Sequence, residues 1–519
     1  MDRELLKKEV LCIIDTKQIQ KFIFHSNTML DTIGGSDLIL HIMYDAIEFA
    51  LKNTDPPVPE PEYDLSLNPD GKIPWFEDSR IQFQLIFCAA GNAMFLARTG
   101  ELAGRIVRKV SRYHLEHGYS LNIAAACVEK TDNIGRDISN IYRKLELNKA
   151  VSENLNPLGT LPVCIREEST GYPVVGYDEI NGDPVSTSSA LRRQEARKRT
   201  HLVSGKAIRT TTAFDRKAYK AVIHADGNNI GITIGKILQS VPDYEAGIRT
   251  RRRISRHLEK TIAGIMSRTI SDLEDYYTKV TGKKDDFEQE FMLLHRGGDD
   301  INVMCNAIWA FPFFQFFYRN LKGAYICKTE SMEVPLYLCG GIAFVTDEAA
   351  FHRAFKLAEE CCSNAKTFAK TERNLRRGLA GNWIDFQVLD TPNTQDLEML
   401  REFSYITKER VSLLLRPYCL DPEARDEEYS YCKLMNRALQ FRSLSLDYDD
   451  EVVFRHSFLM GREEFNHFVS AMKQKGCDLV ALLGEPACRD TDMHLHATWF
   501  DAAEVADFFP PDDNIRQLL

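Results

Sequence analysis

The chain has no Cys-x-x-Cys pair among its 13 cysteines. That spacing is what most zinc sites are built on, so structural zinc is disfavoured, and scattered thiols read as reduced core residues in a cytoplasm. No apolar run approaches the ~20 residues needed to cross a bilayer. The most apolar stretch, IWAFPFFQFFY, is short, contains Pro312 and reads as a buried helix. The N-terminus, MDRELLKKEV, lacks the apolar centre of a signal peptide. These absences together lead us to expect a cytoplasmic protein with no membrane partner. Positive charge is not in excess either. The net charge of -10 argues against a surface given over wholly to nucleic acid. What is present is an ordinary globular composition, 44% hydrophobic, long enough for two to four domains at roughly 150 residues each.

One order of elements occurs twice. The first copy starts with a strand-like run, EVLCIIDTKQIQKFIF. It continues with a helix, IGGSDLILHIMYDAIEFALKN, whose apolar residues recur every three and four positions. IQFQLIFCAAGNAMFLAR reads as a hairpin turning at Ala89-Ala90-Gly91-Asn92, followed by the helix ELAGRIVRKVSRYHLEHG and the strand SLNIAAACVEK. The second copy runs KAYKAVIHADGNNIGITI, a long helical stretch from Tyr244, the hairpin FEQEFMLLHRGGDDINVMC, a helix, the strand VPLYLCGGIAFV, the helix FHRAFKLAEECCSNAKTFAK and the strand NWIDFQVLD. This β-α-ββ-α-β order implies an α+β fold with two ferredoxin-like palm domains of the nucleotide cyclase and polymerase type. We expect a first palm at 8–154, a loop-rich insert at 155–215, a second palm at 216–394 and a mainly helical domain at 395–519. LREFSYITKERVSLLLRPY and EEYSYCKLMNRALQF are the helices read in the tail.

The chemistry concentrates in the second copy. Gly297 and Gly298 allow a tight turn and close approach of a phosphate to the backbone. Asp299 and Asp300 supply hard oxygen ligands suited to Mg²⁺ or Mn²⁺. Asp226 ends the apolar run AVIHAD and should lie on a neighbouring strand, with the Gly227 carbonyl as a further ligand. Two ions held by Asp226, Gly227, Asp299 and Asp300 would stabilise the attacking and leaving oxygens of a nucleotidyl transfer. Asn228, Asn229 and Gly231 lead into a helix whose free N–H groups suit phosphates; simple helix capping is the competing reading. Gly34, Gly35 and Ser36 read as the same kind of helix start in the first palm, there for a second nucleotide or else a cap with no ligand. Lys366 is a candidate for the triphosphate, set against a solvated lysine, and His295 reads as a packed residue. The hairpin of the first copy lacks both carboxylates, so that palm reads as degenerate. Two basic stretches, Arg192–His201 and Arg249–His257, suit RNA or product phosphates or else a solvated face. His494 and His496 alternate on what reads as a short strand, half of a metal site at most.

Several stretches together resemble Cas10, the large palm-domain subunit of type III CRISPR systems. They are QIQKFIFHSNTMLDTIGGSDLI, FCAAGNAMFL, ADGNNIG, RGGDDINV, GGIAFV, LAEECCSNAK and WIDFQVL. The resemblance covers most of residues 8–390. It implies a cytoplasmic enzyme that converts ATP into cyclic oligoadenylate second messengers in antiviral defence. RNA, CRISPR complex subunits or a messenger-gated effector are the partners it implies. There are two departures from the family pattern. No His-Asp pair precedes the first palm, so nuclease activity is not carried over. The insert holds only Cys164, so the family's four-cysteine zinc site is missing. The chain therefore looks like a compact member, stand-alone or complexed. A diguanylate cyclase is one rival, although Asp300 is followed by Ile301 where that hairpin has Glu-Phe. A non-catalytic paired-palm scaffold or nucleotide sensor is the other. Oligomeric state, product ring size and linkage stay open.

Overall fold

The computed structural model describes residues 3–511 apart from 27, 152–162, 181, 199–210, 213–217, 329–332, 380, 390–395, 409, 411, 422–423, 425–426, 445 and 480–493. The first sheet is built from β1 (Val10–Lys17), β2 (Tyr63–Asp64), β3 (Phe83–Ala89), β4 (Asn92–Ala97) and β5 (Asn122–Glu129) in the order β2-β3-β4-β1-β5. Around it lie α1 (Ile19–Phe24), α2 (Met29–Asn53), α3 (Gly100–Gly118) and α4 (Ile134–Val151). The strands β3, β4, β1 and β5 pair antiparallel, and β2 joins the edge in parallel. This order is the ferredoxin-like one expected from the sequence. Nearly every residue of β1 is buried, as a central strand covered on both faces requires.

The insert contains α5 (Thr187–Lys198). The second sheet then takes β6 (Ala218–Gly227), β7 (Phe291–Gly297), β8 (Asp300–Asn306), β9 (Leu338–Thr346), β10 (Trp383–Leu389) and β11 (Tyr418–Cys419) in the order β7-β8-β6-β9-β10-β11. Only β9 and β10 pair in parallel. Its helices are α6 (Ile230–Gln239), α7 (Tyr244–Thr281), α8 (Ala310–Leu321) and α9 (Phe351–Ala369). Asp243 caps α7, its side chain accepting from Ala246 N at 2.7 Å, and Gly282 ends the helix in the left-handed region. The apolar stretch containing Pro312 is the buried helix α8, with Pro312 in its first turn, where no intrahelical N–H is lost.

The tail holds α10 (Leu397–Ser404), α11 (Tyr431–Ser443), α12 (Tyr448–Met460), α13 (Arg462–Gln474) and α14 (His494–Val505). It is not only helical. It lends β11 to the second sheet, and it packs Phe509 on Phe311 and Phe508 on Phe344, with ring centroids 4.6 and 4.3 Å apart.

Four sequence expectations change. QIQKFIF is helix α1, not strand, because Gln18 takes a left-handed conformation and breaks the extended chain. The helix α4 was not anticipated, although Ile134, Ile138, Ile141 and Leu145, all buried, carry its period. LREFSYITKERVSLLLRPY is helical only as far as Ser404. His494 and His496 begin a helix, not a strand. Among the described residues no helix is long and apolar enough to cross a membrane.

Candidate active site

The hairpin β7–β8 turns on Gly298 and Asp299, between the paired residues Gly297 and Asp300. Gly298 has φ +66°, a left-handed conformation that glycine adopts without strain. It is followed by a residue with ordinary φ, the pattern of a II′ turn. Strand β8 runs antiparallel to β6 with Ile301 opposite Ala225, so the same register sets Asp300 beside Asp226. Strand β9 covers the other edge of β6, with Cys339 opposite Asp226 and Leu338 opposite Gly227. A side chain at Gly227 would fall on Ile230 and on the Asp299 carboxylate, so only a bare backbone lets Asp299 fold in at this point.

Asp299 and Asp226 share a side-chain hydrogen bond. A bond between two carboxyls needs one proton. Burial, and then the adjacent Asp226 carboxylate, push Asp299 up to about 7, which supplies it. Lys366, from α9, forms an ion pair with Asp226. Burial opposes the lysine's charge, but Asp226 and its neighbours carry its pKa upward on balance.

Asp300 is oriented differently. It accepts hydrogen bonds from Gln20 Nε2, out of the first palm, and from Asn302 Nδ2 at 2.9 Å. His224 Nδ1 stands 3.4 Å from Asp300 and donates to Asn302 Oδ1 at 2.8 Å. Burial, and then Asp226, raise Asp300 to about 7 as well, against the pull of those two donors. Two of the three aspartates therefore meet closely, while the third answers to Asp226 electrostatically and is held by the other palm.

The two palms adjoin at this point. Ser36 Oγ and His295 Nδ1 are hydrogen-bonded at 2.5 Å. An added Cβ at Gly297 would lie 3.4 Å from that of Ala90, at the tip of the first hairpin. The first palm also keeps a reduced copy of the site. Asp15 stands opposite Asn92 at the start of β4 and pairs with Lys149 of α4 at 2.5 Å. Three residues after each strand-end aspartate, Gln18 and Asn229 take the same left-handed conformation to begin a helix. Sequence reading passed over Asp15 and Lys149 because α4 went unrecognised.

Asn229 is the N-cap residue of α6, Gly231 lies in the open first turn, and Asn228 N donates to Tyr337 O at 2.9 Å. Gly34, Gly35 and Ser36 are not a helix start. Helix α2 begins at Met29, capped by Thr28, so their N–H groups lie beyond the first turn and are used within the helix. Gly34 instead permits the crossing with α5, since a Cβ there would overlap the Arg192 carbonyl. The stretch after Arg249 is mostly a clamp on the first palm. Arg249 bonds Glu245 and the Gly71 carbonyl, Arg252 bonds the Asn68 and Leu85 carbonyls, and Arg253 pairs with Asp70. Arg251 also packs on the first palm, stacked 4.2 Å over Phe87 and hydrogen-bonded to Tyr142, and it lies within electrostatic reach of Asp299. In the other basic stretch, Arg193 and Arg197 pair with Asp178, and 199–201 lie outside the described residues.

Among the described residues no three His, Cys, Asp or Glu side chains stand in a metal-ligating cluster. The donor chemistry nevertheless suits a hard divalent cation. Asp226 and Asp299 are crowded together with a shared proton and a lysine standing in for positive charge, and both Asp299 and Asp300 are shifted in the direction a cation would reverse.

Residues 219–375 match the family described as Cas10/Cmr2, second palm domain. No curated protein matches the chain. Among solved structures it is similar to the Csm1–Csm4 cassette in complex with cA4, at 14% identity over 96% of this chain and 70% of that one, TM-score 0.46. It is also similar to Csm1 of T. onnurineus, at 14% identity over 97% and 69%, TM-score 0.45. The family match spans the strand that bears Asp226, the Gly-Gly-Asp-Asp hairpin and the helix that bears Lys366. Residues 219–375 are thus a second palm domain of the Cas10/Cmr2 family.

Proposed function

We propose that the protein is a metal-dependent nucleotidyltransferase that joins ATP into cyclic oligoadenylate-type messengers for CRISPR-associated defence. The observation that supports this most is the Asp226–Asp299 pair, formed by residues 73 positions apart, one near the end of β6 and one in the turn of the adjacent hairpin, inside a segment that matches a Cas10/Cmr2 palm. On this reading Asp226 and Asp299 hold the cations, with the Gly227 carbonyl beside them, and Asp300 joins them or positions the hairpin. Bound Mg²⁺ or Mn²⁺ would lower the pKa of a ribose hydroxyl and offset charge on the phosphates. The chain's own residues do the rest. Lys366 leaves Asp226 for the triphosphate, and the first turn of α6, from Asn229 to Gly231, offers N–H groups to phosphate oxygens. Gly297 and Gly298 keep the hairpin clear for the nucleotide.

The domain division that accompanies this reading is 8–154, 155–215, 216–394 and 395–519, with the last contributing an edge strand to the palm before it. Partners remain those the resemblance implied: RNA, complex subunits or a messenger-gated effector. The test is incubation with ATP or GTP and Mn²⁺, followed by chromatography of the products. Adenylate oligomers from ATP support the proposal. Consumption of GTP alone would assign the site to a diguanylate-type enzyme, and turnover of neither would leave a nucleotide sensor.

A further inference from the structure

A cavity of about 540 Å³ opens between α1, the insert and α9. Gln20 connects it to the hairpin, since its Nε2 donates to Asp300 while its side chain lines the cavity. Lys21, His25, Ser169, His352 and Lys356 line it too. Its apolar wall is Phe24 stacked on Phe355, and Glu359 is its one carboxylate.

Positive charge here exceeds what the protein neutralises. Lys21 forms no ion pair among the described residues, and Lys356 is held only by Glu360 at 3.3 Å. Behind His25 lies Arg192, fully buried. None of its three guanidinium nitrogens has a hydrogen-bond partner among the described residues, and the group rests 4.3 Å over the Phe22 ring. The carboxylates that act on it are engaged elsewhere. Asp31 bonds Arg193 and Ser26, and Glu167 bonds Thr170 and Ser189. Burial, and then the charges of Arg192 and Lys21, depress the His25 imidazole. His25 Nε2 and Ser169 Oγ are buried without partners. Leaving a buried guanidinium unpaired is costly, and donors that converge on a cavity with a surplus of positive charge suit an anion.

We propose that this cavity is a polyphosphate site, which takes the 5′-triphosphate of a nucleotide through Lys21, Ser169 and Lys356, with Arg192 supplying the field behind them. The identity of the ligand rests on the nucleotide reading above; the anion chemistry does not. Because the insert contributes Ser169 and carries Arg192 on α5, a segment outside both palms would help to hold the substrate.

The experiment is calorimetric titration of the full chain with inorganic tripolyphosphate in EDTA, which removes metal-held phosphate from consideration. Wild type should bind. Lys21→Glu with Lys356→Glu, both exposed, should weaken binding at least about tenfold, the scale of lost charge-assisted contacts. Arg192→Met should do the same if it folds, and the rim variant stands on its own if it does not. Adenosine should not compete. No binding by wild type, unchanged binding by the rim variant, or displacement by adenosine would each overturn the site. Failure to make oligomers with tripolyphosphate binding intact would remove the enzymatic reading and leave the cavity standing.

Discussion

Lys366 forms an ion pair with Asp226 in the second palm, as Lys149 does with Asp15 in the first. In each case a helix, α4 after β5 and α9 after β9, brings a lysine to the aspartate near the end of the sheet's first strand. In the second palm the lysine also offsets the charge of a carboxylate that Asp299 crowds.

Lys366→Met should therefore destabilise the metal-free protein. The Asp226 side chain is 34% exposed, so screening keeps the loss to about 1 kcal/mol. Thermal unfolding with and without Mg²⁺ is the check, because the ion should restore most of the difference. A raised KM for ATP should accompany it. An unchanged KM would remove Lys366 from the nucleotide site.

The pH dependence has a definite sign. Asp299 and Asp300 titrate near 7 when folded, against 3.8 for an unperturbed aspartate. Between those values the unfolded chain has already released protons that the native state retains. The stability of the metal-free protein should thus fall from about pH 4 to about pH 7 on their account and then level off. Metal binding should run the other way, since a cation competes with those protons. Mn²⁺ affinity, followed by electron paramagnetic resonance, should strengthen from pH 6 to pH 8. A flat profile would mean that these carboxyls do not hold the ion.

Asp299→Asn separates a catalytic role from a structural one. Product formation and Mn²⁺ binding should fall at least about 100-fold, the upper range for a disturbed metal site. The metal-free variant should nevertheless match or exceed wild type in thermal stability at pH 8, because a buried charge beside Asp226 has gone. Loss of both activity and stability would make the residue a folding element.

Gly34→Ala tests the reassignment of the first-palm glycines. Its Cβ would overlap the Arg192 carbonyl, and forcing α2 from α5 should cost about 1–3 kcal/mol. The melting temperature should fall. If Gly34 bound phosphate instead, nucleotide affinity would drop with stability intact.

The sequence was enough to locate the two hairpins, the strand ending at Asp226 and the repeated order of elements. Those features depend on local rules: alternation along a strand, glycine at a tight turn, and the three- and four-residue spacing of apolar positions on a helix. It was also enough to pick out the second hairpin as the one that keeps both carboxylates. It misjudged Gly34 and Gly35, because a glycine that frees a helix start and one that, like Gly34, lets another helix pass look alike in one dimension. Which carboxylates touch could not be read locally either. Asp299 reaches Asp226 across the sheet while Asp300, its immediate neighbour, is claimed by Gln20, 280 residues away. Only the folded chain settles such choices, since they turn on which donors arrive from distant segments and how far burial strengthens each charge at that spot.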